Sequence, residues 1–446
     1  MNKITRIFRT DNFLSLTGNL VFAFFGFASI FLLARTLSKS DFGEYVLYLS
    51  GMSLLEMIRT GITSTPLVRF LAGSADPEEQ KRLIGASWFL SVLVTIGGVV
   101  LLYAALLLFP EPIHRKGFGL FFTWYPILSI IILPLNTALS VLQARKKFGQ
   151  ILVLRSVNMS TFFIFLVINY FWLKVDLIWI VIAHQGSHLL AGMLSLVKGW
   201  SVVSAIRYAT REQIRSQLKF GRFSLVTLIG SNLLKSSDTF IIGIMMSAPD
   251  VAYYSIPIKL IEIIEIPLRS LVSVAFPSMS KASRLNDTKE VRSIYYSNTG
   301  LLTWLYIPLI LVLFVLAKPL VLLLGGPEYA GSYLIFWIFL IYGLLLPMDR
   351  FSGVALDAIN KPNLNMIKVL IMATLNIVGD ILVIHFWSSL PGVAICTVLN
   401  ATAGVIAGNL LLHKELGTNF FKIFPYGWNY LKYLIAPFLK RGSHAG

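Results

Sequence analysis

Four charged side chains recur at helical spacing along one apolar stretch of this 446-residue chain. At about 100° per residue they share a helix face about 120° wide. Basic groups on such a face can bind an anion, and the carboxylates beside them can orient the basic groups or carry a proton. The pattern therefore predicts a polar helix face that binds a charged ligand. Its members are Lys259, Glu262, Glu265 and Arg269.

Two further apolar stretches carry opposite charges at the spacing of about one helical turn. In the first stretch the charged residues share a face with two tyrosines. A pair at this spacing could equally be a private ion pair that only holds helices together, so both interpretations stand for each pair. The first face consists of Tyr45, Tyr48, Glu56 and Arg59, and the second pair is Lys235 with Asp238.

The elements that position these charges are long apolar stretches. Hydrophobic residues make up 56% of the chain and charged residues 13%, against about 45–50% and about 25% in soluble domains. A bilayer core about 30 Å thick takes roughly 20 helical residues to cross. The sequence therefore predicts an all-α polytopic membrane protein with about twelve spans. The predicted spans are residues 12–36, 42–65, 83–109, 118–144, 151–173, 177–200, 217–246, 251–278, 293–317, 329–357, 364–385 and 388–412.

The basic residues divide unequally between the two sides of these spans. Of 38 Lys and Arg, 24 fall in the terminal segments and the connections on one side, and 6 fall in the connections on the other. Because cytoplasmic loops are enriched in Lys and Arg, this asymmetry predicts that both termini lie in the cytoplasm. It also accounts for the net charge of +17, which therefore does not indicate nucleic-acid binding.

The longest hydrophilic connection lies between six predicted spans and six more. The segment Asp41–Tyr45, at the start of the second span, has a similar counterpart in Asp250–Tyr254. Two similar halves of six spans would place a substrate site between them. We predict a six-helix bundle over residues 1–205, a cytoplasmic linker over 206–222, a second bundle over 223–413 and a cytoplasmic, amphipathic, basic tail over 414–446.

Apart from Arg35, Glu44, Lys219 and Arg222, fifteen charged residues lie inside the predicted spans. At roughly 2.5–3.5 kcal/mol each, exposing all of them to lipid would cost on the order of 45 kcal/mol. They must therefore pair, reach the interface or face water. Asp349 and Arg350 are adjacent and could pair privately. Asp380 is isolated, so it is either a protonated buried acid or an ion-coupling residue.

Enzyme signatures are missing from the sequence. It contains no phosphate-cradling glycine loop, no zinc-ligand spacing and no nucleophile elbow. Cys396 is the single cysteine, and His184 with His188 is accompanied by no carboxylate, so helix packing is the simpler interpretation of the histidines. We therefore expect neither an enzyme nor a cofactor or metal site.

Three short segments resemble a known family. Ala34–Ser38 leading into Asp41–Tyr45, then Gly325–Ala330, and then Asn360–Pro362 resemble the corresponding helix junctions of polysaccharide repeat-unit flippases. These proteins are members of the multidrug, oligosaccharidyl-lipid and polysaccharide (MOP) exporter superfamily. The resemblance covers the predicted spans in order from the first to the twelfth.

The resemblance implies a V-shaped, MATE-like pair of six-helix bundles. Such a protein moves an undecaprenyl-pyrophosphate-linked oligosaccharide across the bacterial inner membrane by alternating access, for surface polysaccharide biosynthesis. Its partners would be that lipid-linked oligosaccharide, membrane lipids, a coupling proton or sodium ion, and neighbouring polymerases and glycosyltransferases. A cation-coupled small-molecule antiporter of the same superfamily and an integral-membrane glycosyltransferase or polymerase are the alternatives.

Under this hypothesis the charged residues take distinct roles in a central cavity. Basic residues attract the diphosphate and acidic residues position them, while a third set contributes secondary or gating contacts and Asp380 or Glu265 couples an ion. The basic set is Arg59, Lys235, Lys259 and Arg269, the acidic set is Glu56, Asp238, Glu262 and Glu265, and the third set is Arg35, Tyr45, Tyr48, Asp349 and Arg350.

Overall fold

The computed structural model describes the backbone of residues 11–442 and the side chains of residues 24–222, 225, 228 and 236–434. Over that part of the chain the structure is almost entirely helical, with seventeen α-helices and no β-strand. The prediction of an all-α protein is confirmed.

Nine helices and two π-helical turns build the first part of the chain. The helices are α1 (Asp11–Thr36), α2 (Lys39–Arg59), α3 (Thr65–Gly73), α4 (Pro77–Leu108), α5 (Pro110–Arg115), α6 (Gly119–Ile131), α7 (Leu133–Ala144), α8 (Phe148–Ile168) and α9 (Leu177–Val197). The π-helical turns are Thr60–Ser64 and Asn169–Leu173.

Eight helices and three 3₁₀ turns make up the rest of the described chain. The helices are α10 (Arg211–Met245), α11 (Ala248–Arg284), α12 (Thr288–Val315), α13 (Ala317–Gly325), α14 (Tyr333–Ala358), α15 (Pro362–Trp387), α16 (Leu390–Leu416) and α17 (Ile423–Gly442). The 3₁₀ turns are Val203–Tyr208, Pro327–Ser332 and Phe420–Lys422.

Many of these helices are suited to crossing a membrane. Within the described residues, seven are long and apolar enough to span it by length and composition, and the pair α6 and α7, bent by 51°, makes an eighth. Pro134 lies at the start of α7, where its missing N–H interrupts the helical hydrogen-bond ladder. The chain is a multi-pass membrane protein.

The chain divides into two compact units. Unit 1 comprises residues 1–232 and 242–252, and unit 2 comprises residues 233–241 and 253–446. The long helix α10 therefore contributes residues to both. Its first turns contain the hydrophilic residues that follow Tyr208, so much of that connection is helical.

The two similar segments adopt the same local structure at the start of α2 and α11. In each, a serine three residues before an aspartate bonds that aspartate's side chain, as Ser38 does with Asp41 and Ser247 with Asp250. These serine–aspartate pairs lie at the helix N-termini, where side chains satisfy free backbone donors. The equivalent tyrosines of the two segments, Tyr45 and Tyr254, are both buried.

Candidate functional site

The charged pair of α2 lies at the centre of a buried polar cluster in unit 1. Arg59 and Glu56 form an ion pair on successive turns of the helix. The guanidinium Nη1 also donates to Thr95 Oγ1 at 3.2 Å and to the backbone carbonyl of Ser129 at 2.7 Å. Arg59 is only 4% exposed, so its charge is compensated by these groups rather than by water.

The carboxylate of Glu56 has further hydrogen-bond partners on the bent helix pair α6 and α7. Tyr125 donates its hydroxyl to Oε1 at 2.8 Å, and Asn136 donates its amide to Oε2 at 2.7 Å. Because Tyr125 lies on α6 and Asn136 on α7, the bend between these helices brings both donors to one carboxylate. Four helices, α2, α4, α6 and α7, therefore contribute to this cluster.

The backbone changes its helical winding directly after Arg59. Residues Thr60–Ser64 form a π-helical turn, and Pro66 follows in the first turn of α3. A π-turn shifts the register of the following side chains and is frequent at functional sites. Gly61 lies in this turn, and a Cβ atom there would lie 3.0 Å from the Cα atom of Leu225.

The two tyrosines that share the α2 face with Glu56 and Arg59 lie in an aromatic group. Tyr45 and Tyr48 are buried, and the rings of both contact His184 edge to face. His184 stacks edge to face on His188 with 4.6 Å between ring centroids. This packing of the histidines matches the structural interpretation made from the sequence.

In unit 2, the predicted charged face of α11 forms two ion pairs within the helix. Lys259 Nζ lies 3.0 Å from Glu262 Oε2, and Arg269 pairs with Glu265. Lys259 is partly exposed, and the side chain of Arg269 is 62% exposed. The basic groups of this helix therefore remain accessible to a ligand, unlike Arg59.

A second buried polar cluster in unit 2 surrounds Asp238. Its Oδ2 accepts hydrogen bonds from the hydroxyls of Tyr254 at 2.8 Å and Thr397 at 3.0 Å. Its Oδ1 accepts from the amide of Asn376 at 2.6 Å. These donors come from α11, α16 and α15, so three helices converge on this one carboxylate.

Asn376 connects this carboxylate to a second one. The same amide group donates to Asp380 Oδ2 at 3.0 Å, and the side-chain amide of Asn400 donates to the side-chain Oδ1 of Asn376 at 3.2 Å. Asp380 is fully buried. Its Oδ1 atom and the Oδ1 atom of Asn400 are buried acceptors without a hydrogen-bond partner among the described residues.

The donor set of this cluster is chemically specific. Carboxylate, amide and hydroxyl oxygens suit a hard cation such as Na⁺, or a proton shared by two carboxyl groups. Soft or transition metals prefer histidine and cysteine. Among the described side chains, no three histidine, cysteine, aspartate or glutamate residues are grouped so that they could hold a metal ion.

Of the secondary residues predicted from sequence, Asp349 has an unexpected partner. It bonds Lys368, whose Nζ lies 2.7 Å from Asp349 Oδ1 and also donates to Ser352. The neighbouring Arg350 is exposed. Arg35 lies over the ring of Phe31 at 4.7 Å.

Lys235 lies outside the residues whose side chains are described, so its predicted role stays a prediction.

Sequence reasoning missed three polar residues of the Asp238 cluster. These residues are Asn376, Thr397 and Asn400. Asn376 precedes Asp380 by four residues, a spacing that places both on one helix face and could have indicated the contact.

Two solved structures share this fold. A multidrug resistance MATE family transporter of the MOP superfamily in an inward-facing conformation matches with a TM-score of 0.76 at 13% identity, covering 88% of this chain and 94% of that one. The lipid II flippase MurJ matches with a TM-score of 0.71 at 17% identity, covering 94% and 93%. The chain therefore shares the helical fold of these two proteins, and the MATE-like fold that the sequence resemblance predicted is confirmed.

Sequence comparison identifies the family more closely. A family model described as "Polysaccharide biosynthesis protein" matches residues 9–283, so the chain belongs to that family. A protein named as a probable low-salt glycan biosynthesis flippase, Agl15 of Haloferax volcanii, is 23% identical over 413 residues, which cover 90% of this chain and 82% of the relative.

Proposed function

We propose that this protein is a transporter, a flippase that moves a lipid-linked oligosaccharide repeat unit across a bacterial plasma membrane for polysaccharide biosynthesis. The family to which the chain belongs and the flippase named among its relatives support this proposal. The substrate would carry the sugar chain on undecaprenyl pyrophosphate, with both termini of the transporter in the cytoplasm. Alternating access would expose the substrate to each side in turn.

The observation that carries the proposal is the accessible charged face of α11. Lys259 and Arg269 retain exposure on a helix that also exposes apolar side chains such as Ile263 and Ile266. A substrate with an anionic diphosphate and an apolar chain matches a helix that presents both kinds of surface. Glu262 and Glu265 hold the two cations in place between transport events.

Arg59 takes a different part in this mechanism. Its guanidinium is occupied by Glu56, Thr95 and Ser129. A diphosphate would have to replace these partners to bind it. We propose that Arg59 contacts the substrate only after the π-helical turn rearranges, which couples substrate arrival to a change in unit 1.

Transport would be driven by a cation bound at the Asp238 cluster. Asp380 Oδ1 and Asn400 Oδ1 are buried acceptors with no donor among the side chains that the structure describes, and a sodium ion or proton would satisfy such atoms. Asp380 is the proposed coupling residue. Glu265 is the less favoured candidate, since its carboxylate already pairs with Arg269.

A reconstituted assay tests the flippase proposal. Proteoliposomes containing a fluorescent polyprenyl-diphosphate oligosaccharide would be treated with a membrane-impermeant quencher. The double variant Lys259→Gln/Arg269→Gln should flip the lipid at least about tenfold more slowly, since a charge-assisted hydrogen bond contributes about 1.5–3 kcal/mol. Lys289→Gln, at the exposed first turn of α12, is the matched control.

The outcomes separate the competing functions. Flipping by the wild type that the double variant loses and the control retains supports the proposal. No flipping by the wild type, with ion-dependent efflux of small cationic drugs, would instead establish an antiporter. Sugar transfer onto the lipid in detergent would establish a glycosyltransferase.

A further inference from the structure

The C-terminal helix α17 packs closely on α12. Gly300 of α12 faces Gly427 of α17, and a Cβ atom on either glycine would collide with the backbone of the other helix. Small residues at a contact allow two helix backbones to approach closely, a common packing mode in membranes. The segment after the last predicted span is therefore an ordered part of unit 2 over its described residues.

Further bonds hold this segment along one stripe of α12. Trp304 donates its indole N–H to the carbonyl of Phe424 at 2.9 Å, and Tyr296 accepts the backbone N–H of Asn419 at 2.6 Å. Arg292 donates to the carbonyl of Leu416 at 3.0 Å. These bonds join Arg292, Tyr296 and Trp304 of α12 to successive parts of the C-terminal segment.

The opposite side of the segment is aromatic and basic. Phe421 is 76% exposed and Tyr433 is 72% exposed. Lys422 and Lys432 are also exposed. We call these four residues the outward face; it combines rings that favour the headgroup region with cations that favour its phosphates.

The charge of the segment is of one sign. After Glu415 the sequence contains four basic residues and no acidic one. A lysine directed into the hydrocarbon core is strongly disfavoured, whereas a lysine at an anionic surface is favoured. The outward face therefore belongs at headgroup depth. The four basic residues are Lys422, Lys432, Lys440 and Arg441.

We propose that the outward face is a binding surface for anionic phospholipid headgroups, and that bound lipid holds α17 against α12. The lysines contact the lipid phosphates and the aromatic rings enter the headgroup layer. Because the Gly300–Gly427 contact joins the segment to α12, the lipid composition of the membrane acts directly on a helix of unit 2. This inference does not depend on the identity of the transported molecule.

The full-length protein in nanodiscs tests this proposal. One set of nanodiscs contains phosphatidylcholine alone and the other contains phosphatidylcholine with phosphatidylglycerol. Phosphatidylglycerol should slow hydrogen exchange in residues 423–434. Native mass spectrometry should detect phosphatidylglycerol bound to the protein. In Lys422→Gln/Lys432→Gln the affinity for phosphatidylglycerol should fall about 30-fold, because each lysine near an anionic surface contributes about 1 kcal/mol.

The control variant removes the same number of positive charges elsewhere in unit 2. Lys289→Gln/Lys414→Gln changes two exposed lysines of unit 2 that lie outside the outward face, and it should retain affinity. Equal losses in both double variants would overturn the proposal in favour of general charge attraction. Equal exchange in the two lipid mixtures would also overturn it, and protection by a copurified protein instead of lipid would identify a protein-docking surface.

Discussion

Asn376 donates its side-chain amide to Asp238, a residue 138 positions away in the sequence, at 2.6 Å. The same amide bonds Asp380 at 3.0 Å. One neutral donor therefore connects two buried carboxyl groups. Two ionised carboxylates in one buried cluster repel each other, so this arrangement favours binding of a cation or a proton.

The variant Asp380→Asn should abolish the stabilisation of the protein against thermal unfolding by sodium. Removing one charge from the pair relieves repulsion, so the variant should unfold thermally at the same or a higher temperature than the wild type without sodium. The wild type should gain stability on addition of sodium, by the mass action of a ligand that binds only the folded state, and the variant should gain none. Thermal unfolding in sodium and in choline chloride checks this.

Asp250→Asn provides the control for that measurement. Asp250 lies in the first turn of α11, where its carboxylate accepts a hydrogen bond from Ser247, outside the Asp238 cluster. It should keep the wild-type response to sodium. A sodium response that survives in Asp380→Asn would place the cation elsewhere, and an acid-induced response without sodium would identify the proton as the ion.

The charged face of α11 could be predicted from sequence because its ion pairs lie within one helix. Lys259 with Glu262 and Glu265 with Arg269 follow from spacings of three and four residues. These spacings place side chains on adjacent turns whatever the tertiary structure. The helical fold could be predicted for a similar reason, since a bilayer requires long apolar helices.

Pairings between helices could not be predicted in the same way. Asp349 pairs with Lys368 from the next helix, whereas the sequence suggested its neighbour Arg350. Which partner a buried charge meets depends on the rotation and depth of each helix, and apolar sequences specify these only weakly. Asp380 appeared isolated for the same reason, because Asn376 and Asp238 reach it through tertiary contacts.

The buried pair of unit 1 should be strongly coupled. Arg59→Gln leaves the Glu56 carboxylate with hydrogen bonds from Tyr125 and Asn136 but no cation, so it should destabilise the protein by about 3–5 kcal/mol. The double variant Glu56→Gln/Arg59→Gln should recover most of that loss. Denaturant unfolding of purified protein measures both.

The same two variants separate structural and transport roles of Arg59. If the double variant recovers stability but still flips no lipid, the guanidinium acts on the substrate. Recovery of flipping together with stability would mean that the pair only holds helices in place, and the proposed contact with the substrate would be wrong.

The buried Lys368 should behave as a structural cation. It donates to Asp349 and Ser352, and Lys368→Met would leave the Asp349 carboxylate uncompensated, which we expect to lower stability by about 3–5 kcal/mol. Lys368→Met/Asp349→Leu should be nearly as stable as the wild type. Unfolding in denaturant checks this, and a double variant as unstable as the single one would contradict it.

The glycine contact between α12 and α17 gives the most direct test of the C-terminal packing. Gly427→Leu introduces a side chain where the backbone of Gly300 already lies, so α17 should separate from α12 and residues 423–434 should exchange hydrogen rapidly. Gly98→Leu on α4 is the matched control, since a Cβ atom there meets no other atom within 4 Å. Because Gly98 lies on a helix whose neighbouring residues are exposed and apolar, the added leucine should be tolerated there. Rapid exchange confined to the C-terminal segment of Gly427→Leu would support close docking, and unchanged protection in that variant would show that the two helices do not depend on this contact.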